Sequence, residues 1–145
     1  MTIRYTRNTL SDTYLDALRI RQAVFVREQK IPHTVEIDSK EAYCLHFIYY
    51  DDDNQALATC RLFPNKDKTE VTLQRMATLA DYRQHGIGRQ LLQYVIDFSK
   101  KQGFEAMSLH AQLPAVSFYE SLGFTTVGEA FKEAGIEHIH MKKKL

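Results

Sequence analysis

The alternation of apolar and polar positions divides the chain into short strands and three helices. Ile3 and Tyr5 alternate with polar residues over positions 2–7, which predicts a first strand. Ser11 and Asp12 offer an N-cap to a helix running to about Gln29, ended by Ile31-Pro32. Leu15, Leu18, Gln22 and Phe25 mark one side of that helix, and Ala17, Ile20 and Val24 widen its apolar face. Residues 42–50 are apolar on both faces, as in a covered internal strand. Residues 55–63 and 70–78 follow as strands, joined by short polar turns, and the three predict an antiparallel meander. Ile87, Leu91 and Val95 share one stripe of a helix over 86–101, with Leu92 and Ile96 beside it and Gly103 stopping it. After a strand at 104–110, Pro114 opens a helix carrying Ala115, Phe118, Tyr119 and Leu122 at i, i+3, i+4 and i+7, capped by Gly123. Residues 124–127 and 137–143 read as two last strands. The order β-α-β-β-β-α-β-α-β-β predicts an α/β fold, a mixed sheet with helices on both faces.

At 145 residues the chain is expected to form one domain over 1–145. A net charge of +1 argues against a dedicated nucleic-acid surface, and Lys142-Lys143-Lys144 reads as a solvated strand end. No apolar run approaches membrane-spanning length and the N-terminus lacks a signal peptide's apolar core, so a cytoplasmic protein without a membrane partner is expected. Cys44 and Cys60 suit a reducing compartment as small core residues, and the predicted hairpin could make them cross-strand neighbours.

Chemistry concentrates in residues 70–92. A strand passes through a short polar loop into Gly86 and Gly88 and then into a helix, with Arg83 and Arg89 flanking the glycines. Strand, glycine loop and helix N-terminus together make an anion site, because the first helical N–H groups have no partner within the helix. The spacing is not G-x-G-x-x-G and no Lys-Ser/Thr follows, which argues against dinucleotide and Walker loops. Residues 33–41 have little periodicity and read as a solvated loop carrying Glu36, Asp38 and Glu41. The six histidines lack metal-ligand spacing, so no metal is expected.

R-Q-H-G-I-G-R, followed some twenty-five residues later by A-V-S-F-Y-E-S-L-G-F, resembles the GNAT superfamily of acetyl-CoA-dependent N-acetyltransferases. R-x-x-V-F-V-R-E-Q at 21–29, L-H-A-Q at 109–112 and F-K-E-A-G-I-E-H-I-H-M at 131–141 resemble its ElaA/YjcF-like branch. The resemblance implies a mostly antiparallel sheet and acetyl-CoA as cosubstrate. Its pyrophosphate would rest on Arg83, Gln84, His85, Gly86, Ile87, Gly88 and Arg89, and its pantetheine arm on Met76, Ala77 and Thr78. Gln84 stands where the commonest form of the loop has glycine, and Gln112 is the nearest amide to a position where many members carry asparagine. Tyr119, in F-Y-E, would protonate the departing thiolate. For the base, His138 and then Glu28 lead a field that includes His46, Glu70, Gln74 and His110. The loop acids at 36, 38 and 41 would border the acceptor and could attract a cationic amine.

The expected function is direct acetyl transfer to a primary amine of a small molecule or peptide. The alternative is a non-catalytic acyl-CoA-binding module. The last strands could pair across a homodimer.

Overall fold

The computed structural model describes residues 1–145. Seven strands form one sheet in the order β1-β2-β3-β4-β5-β7-β6: β1 Thr2–Thr6, β2 Leu45–Tyr50, β3 Ala56–Pro64, β4 Glu70–Thr78, β5 Ala106–Gln112, β6 Thr125–Glu133 and β7 Ile136–Lys144. Every neighbouring pair is antiparallel except β4–β5. The helices are α1 Asp12–Arg21, α2 His33–Glu36, α3 Ile87–Lys101 and α4 Val116–Glu120. No helix is long and apolar enough to cross a membrane.

Strand pleating distributes the core over both faces of the sheet. On β2, Phe47 and Tyr49 join a cluster with Leu91, Leu92, Val95 and Ile96 of α3, whereas Ile48 and Tyr50 pack with Ala17, Ile20 and Val24 of the first helix. The period-two and period-3.6 patterns read from the sequence therefore meet as expected, with one exception. The buried stripe of the first helix is Ala17, Ile20, Arg21 and Val24, while Leu15 is exposed. A buried arginine at the centre of the stripe disguised its true orientation.

The first helix also changes character. After Arg21 it continues as a π-helix, Gln22–Glu28, rather than as an α-helix to Gln29. Residues 33–41, expected to be a solvated loop, instead contain α2 and the start of a 3₁₀ turn, Glu41–Tyr43, with Glu36 and Glu41 buried. β6 extends to Glu133 because Ala134 (φ 53°) and Gly135 (φ 76°) form a two-residue turn that pairs Glu133 with Ile136. Cys60 lies opposite Phe47, and Cys44 precedes β2, so the two buried thiols are not paired across the strands.

Candidate active site

The parallel junction of β4 and β5 is incomplete, and the site begins there. The two strands pair only from Glu70↔Ala106 to Leu73↔Leu109. Beyond that point β4 is displaced by a bulge: Gln74 pairs with Arg61 and Ala77 with Thr59, while Arg75 adopts φ 56°. The edge of Gln74 to Thr78 that faces β5 is thus left without a strand partner. Met76, Ala77 and Thr78, expected to meet the pantetheine arm, lie along this open edge.

Where β4 ends, a 3₁₀ turn, Ala80–Tyr82, leads into the glycine loop and α3. Gly86 is the N-cap with φ 78°, in the left-handed region that glycine tolerates, and no side chain caps the helix. The N–H groups of Gly86, Ile87, Gly88 and Arg89 make no well-formed hydrogen bond within the chain. Four successive donors at the positive end of a fifteen-residue helix are a cradle for an anion. A side chain at Gly88 would point at Thr78, Met76 and Phe118, so loop, β4 and α4 converge on that glycine. These backbone features fit a pyrophosphate.

The flanking arginines make protein contacts on either side of the loop. Arg83 donates from Nε to the Thr78 carbonyl at 3.0 Å and from both Nη atoms to Glu28 at 2.6 and 2.8 Å. Arg89 donates to the Ser121 hydroxyl of the segment after α4. Gln84 takes φ 65°, a conformation that accounts for glycine in the commoner form of the loop; His85 is exposed. Arg83 and Arg89 thus brace the loop through contacts to β4, the first helix and the segment after α4.

A cavity of about 360 Å³ opens between the splayed strands. Met76, His110, Gln112, Tyr119 and His138 line it together, with Phe25, Gln29, Ile31 and Val35 from the other side. Tyr119 is 8 % exposed, its hydroxyl has no hydrogen-bond partner in the chain, and burial pushes its pKa up, so the phenol stays protonated. Its place follows from α4 packing Tyr119 against Phe118 and Phe124. Gln112 and Gln29 exchange hydrogen bonds at 3.0 and 3.5 Å, tying the end of β5 to the end of the π-helix.

His138, on β7, is 7 % exposed. Its Nδ1 lies 2.7 Å from the Ile136 carbonyl and must donate, since a carbonyl only accepts. The neutral ring therefore carries its lone pair on Nε2. Glu28 does not line the cavity; the Arg83 hydrogen bonds hold its carboxyl below the usual range, and it braces the glycine loop. His46 is buried against the Glu41 carbonyl at 2.9 Å, Glu70 pairs with Lys142 at 3.1 Å, and Gln74 accepts from Arg61 at 3.0 Å. Among the proposed bases, the structure brings only His138 and His110 beside Tyr119 in the cavity with an imidazole nitrogen available.

The loop acids do not form a negative pocket. Arg21 pairs with Glu36 at 2.6 Å and with Glu41 at 2.8 Å; Arg61 pairs with Glu41 at 2.7 Å and with Asp38 at 2.8 Å. Arg75 reaches Asp38 at 3.3 Å and Glu36 at 3.6 Å. Burial opposes ionisation of Glu41 and Asp38, but the arginine hydrogen bonds outweigh it and hold both carboxyls at about 2. Three cations thus neutralise the three anions expected to draw in an amine. The network's task is to fasten residues 33–43 onto β3 and β4. One signal in the sequence points to it: Arg61 interrupts the otherwise apolar run A-L-A-T-C-R-L-F, and a charge there needs a buried partner.

Comparison with known proteins agrees with this geometry. A family model described as an acetyltransferase (GNAT) domain matches residues 16–145. YjcF of Bacillus subtilis, described as an N-acetyltransferase, is 32% identical over 130 residues, covering 88% of this chain and 90% of YjcF. A Lactobacillus plantarum protein crystallised as an N-acetyltransferase superposes with a TM-score of 0.92 at 32% identity, covering 99% of this chain and 97% of that one. ElaA of Escherichia coli superposes with a TM-score of 0.84 at 27% identity, covering 98% and 99%. With an open β4 edge, an uncapped glycine loop and a matched family model over nearly its whole length, the chain belongs to the GNAT acetyltransferase family and is an acyltransferase.

Proposed function

We propose that the protein transfers an acetyl group from acetyl-CoA directly to a primary amine of a small molecule or peptide. The observation that carries this reading is the run of four free N–H groups, Gly86 to Arg89, beside a cavity lined by a protonated tyrosine. Acetyl-CoA supplies the acetyl group as a thioester and brings a pyrophosphate suited to that cradle. Met76, Ala77 and Thr78 offer backbone donors and acceptors to an extended arm, as a sheet edge takes an added strand.

Tyr119 holds a proton for the departing thiolate, because burial disfavours its phenolate. His138 accepts a proton from the incoming ammonium at Nε2, the nitrogen left free by the Nδ1–H bond to Ile136. Protons balance. Of the two that the ammonium gives up, one goes to solvent by way of His138, and the other replaces the proton Tyr119 has passed on. Neither cysteine lines the cavity, and Cys60 is fully buried with its thiol pKa pushed up, which favours direct transfer over a thiol-bound acyl group.

Tyr119→Phe tests the reading. Turnover should fall about 10²–10⁴-fold, with acetyl-CoA binding changed by less than about threefold. Unchanged turnover would remove the acid role. Intact acetyl-CoA binding with no acetylation of any amine would favour the non-catalytic module.

A further inference from the structure

Three carboxylates line the cavity: Glu36, Asp38 and Glu133. The first two are committed to arginines. Glu133, the last residue of β6, has no lysine or arginine partner and meets only imidazoles. Its Oε1 lies 3.2 Å from His110 Nδ1, and its Oε2 lies 3.8 Å from His138 Nε2. An ionised carboxylate only accepts, so His110 donates from Nδ1 and fixes Oε1. The Glu133 and His110 side chains are half-exposed, and Phe131 packs edge-on against His110 at 5.0 Å and stacks on His138 at 6.2 Å. The tight turn at Ala134-Gly135 holds Glu133 beside β7.

The second contact is too long for a hydrogen bond. In the neutral ring, with Nδ1 of His138 donating to Ile136, Nε2 is an acceptor and faces Oε2, another acceptor, across 3.8 Å. An ammonium nitrogen about 2.8 Å from both atoms would give each an N–H. It would also bring the positive charge that Glu133 lacks.

We propose that Glu133 and His138 together form the acceptor's ammonium site, which defines the acceptor as an alkylammonium without a carboxylate beside its nitrogen. This rests on the acetyltransferase reading and gives it a substrate class. Glu133 captures the cation, His110 orients the carboxylate, and His138 Nε2 is already in hydrogen-bond contact with the N–H it must deprotonate. A carboxylate on the neighbouring carbon would be repelled by Glu133, so α-amino acids are disfavoured. Phe25, Ile31 and Val35, which also line the cavity, offer apolar surface to the carbon chain.

The test is equilibrium binding of n-butylamine to the CoA-saturated protein at pH 7.5, followed by NMR line shifts of the ligand. L-norvaline, the same chain bearing a carboxylate beside the ammonium, is the comparison ligand. Butylamine should bind at least tenfold tighter than norvaline. Glu133→Gln should weaken butylamine binding at least tenfold, whereas Glu137→Gln, the same charge loss on an exposed neighbouring position, should change it less than twofold. Glu133→Asp should recover part of the loss. Equal binding of butylamine and norvaline, an unaffected Glu133→Gln, or no butylamine binding by the wild type would each overturn the proposal. CoA binding, measured first on each variant, reports separately on the acetyltransferase reading and on folding.

Discussion

Arg83 grips both carboxylate oxygens of Glu28, at 2.6 and 2.8 Å, across 55 residues of sequence. The pair links the end of the π-helix, whose Phe25 lines the cavity, to the loop that begins the anion cradle. Both side chains are more than a third exposed, so the pair contributes little to global stability. Its consequence is positional. Glu28→Gln should leave turnover within about threefold of wild type, whereas loss of a general base costs about 10²–10⁴-fold. A loss of that larger size, with an altered pH–rate profile, would return Glu28 to the role of base.

Gly86 and Gly88 separate two requirements of the loop. Gly86 sits at φ 78° with open space around it, so Gly86→Ala introduces backbone strain, on the order of 1 kcal/mol. Gly88 has an ordinary φ, and a methyl group there would make only normal contacts at 3.6–3.8 Å. Gly88→Ala should therefore keep its melting temperature within a few degrees yet weaken acetyl-CoA binding at least tenfold, by filling the approach to the cradle. Calorimetric titration and thermal melting on the same sample distinguish the two outcomes.

Glu41 accepts from Tyr14, Arg21 and Arg61 at 2.7–2.9 Å. Glu41→Gln leaves two buried guanidiniums short of a counter-charge and should cost about 3–5 kcal/mol. Denaturant unfolding measures it. A cost below about 1 kcal/mol would show that the network does not anchor residues 33–43.

The same group predicts the acid limb of stability. Its folded pKa of about 2 lies below the ordinary 4.5, so the stabilisation is fully present above pH 4.5 and disappears as pH falls toward 2. At 1.36 kcal/mol per unit, this amounts to roughly 3 kcal/mol from Glu41. Asp38, also held at about 2, adds to the loss over pH 3.8 to 2. Unfolding free energy measured from pH 6 to 2.5 should fall steeply below pH 4.5, and less steeply in Glu41→Gln.

How much of this was legible in the sequence depends on how local each signal is. The stripe of Ile87, Leu91 and Val95, the apolar run of β2 and the alternation in β4 are carried by residues a few positions apart, and all appear as expected. Tyr119 was legible through its motif, and its place in the cavity follows from the same helix. What was not legible depends on distant partners. Nothing in the local pattern marked Arg21 as buried, and the acids it meets, read as part of a solvated loop, are held by three arginines. The bulge at Arg75 and the parting of β4 from β5 are matters of pairing with two neighbouring strands, which no single strand's pattern records. Glu133 stood within the F-K-E-A-G phrase, but that phrase did not single it out, because its contacts are with two histidines 23 and five residues away.

Acetyl-CoA binding is the most direct test of the account, measured by calorimetric titration of the purified protein with NAD and ATP as controls. Micromolar binding of acetyl-CoA, near −8 kcal/mol, with both controls silent is the predicted result. Absence of acetyl-CoA binding, or equal binding of ATP, would contradict the reading of the glycine loop as a pyrophosphate cradle and, with it, the proposed acetyl transfer.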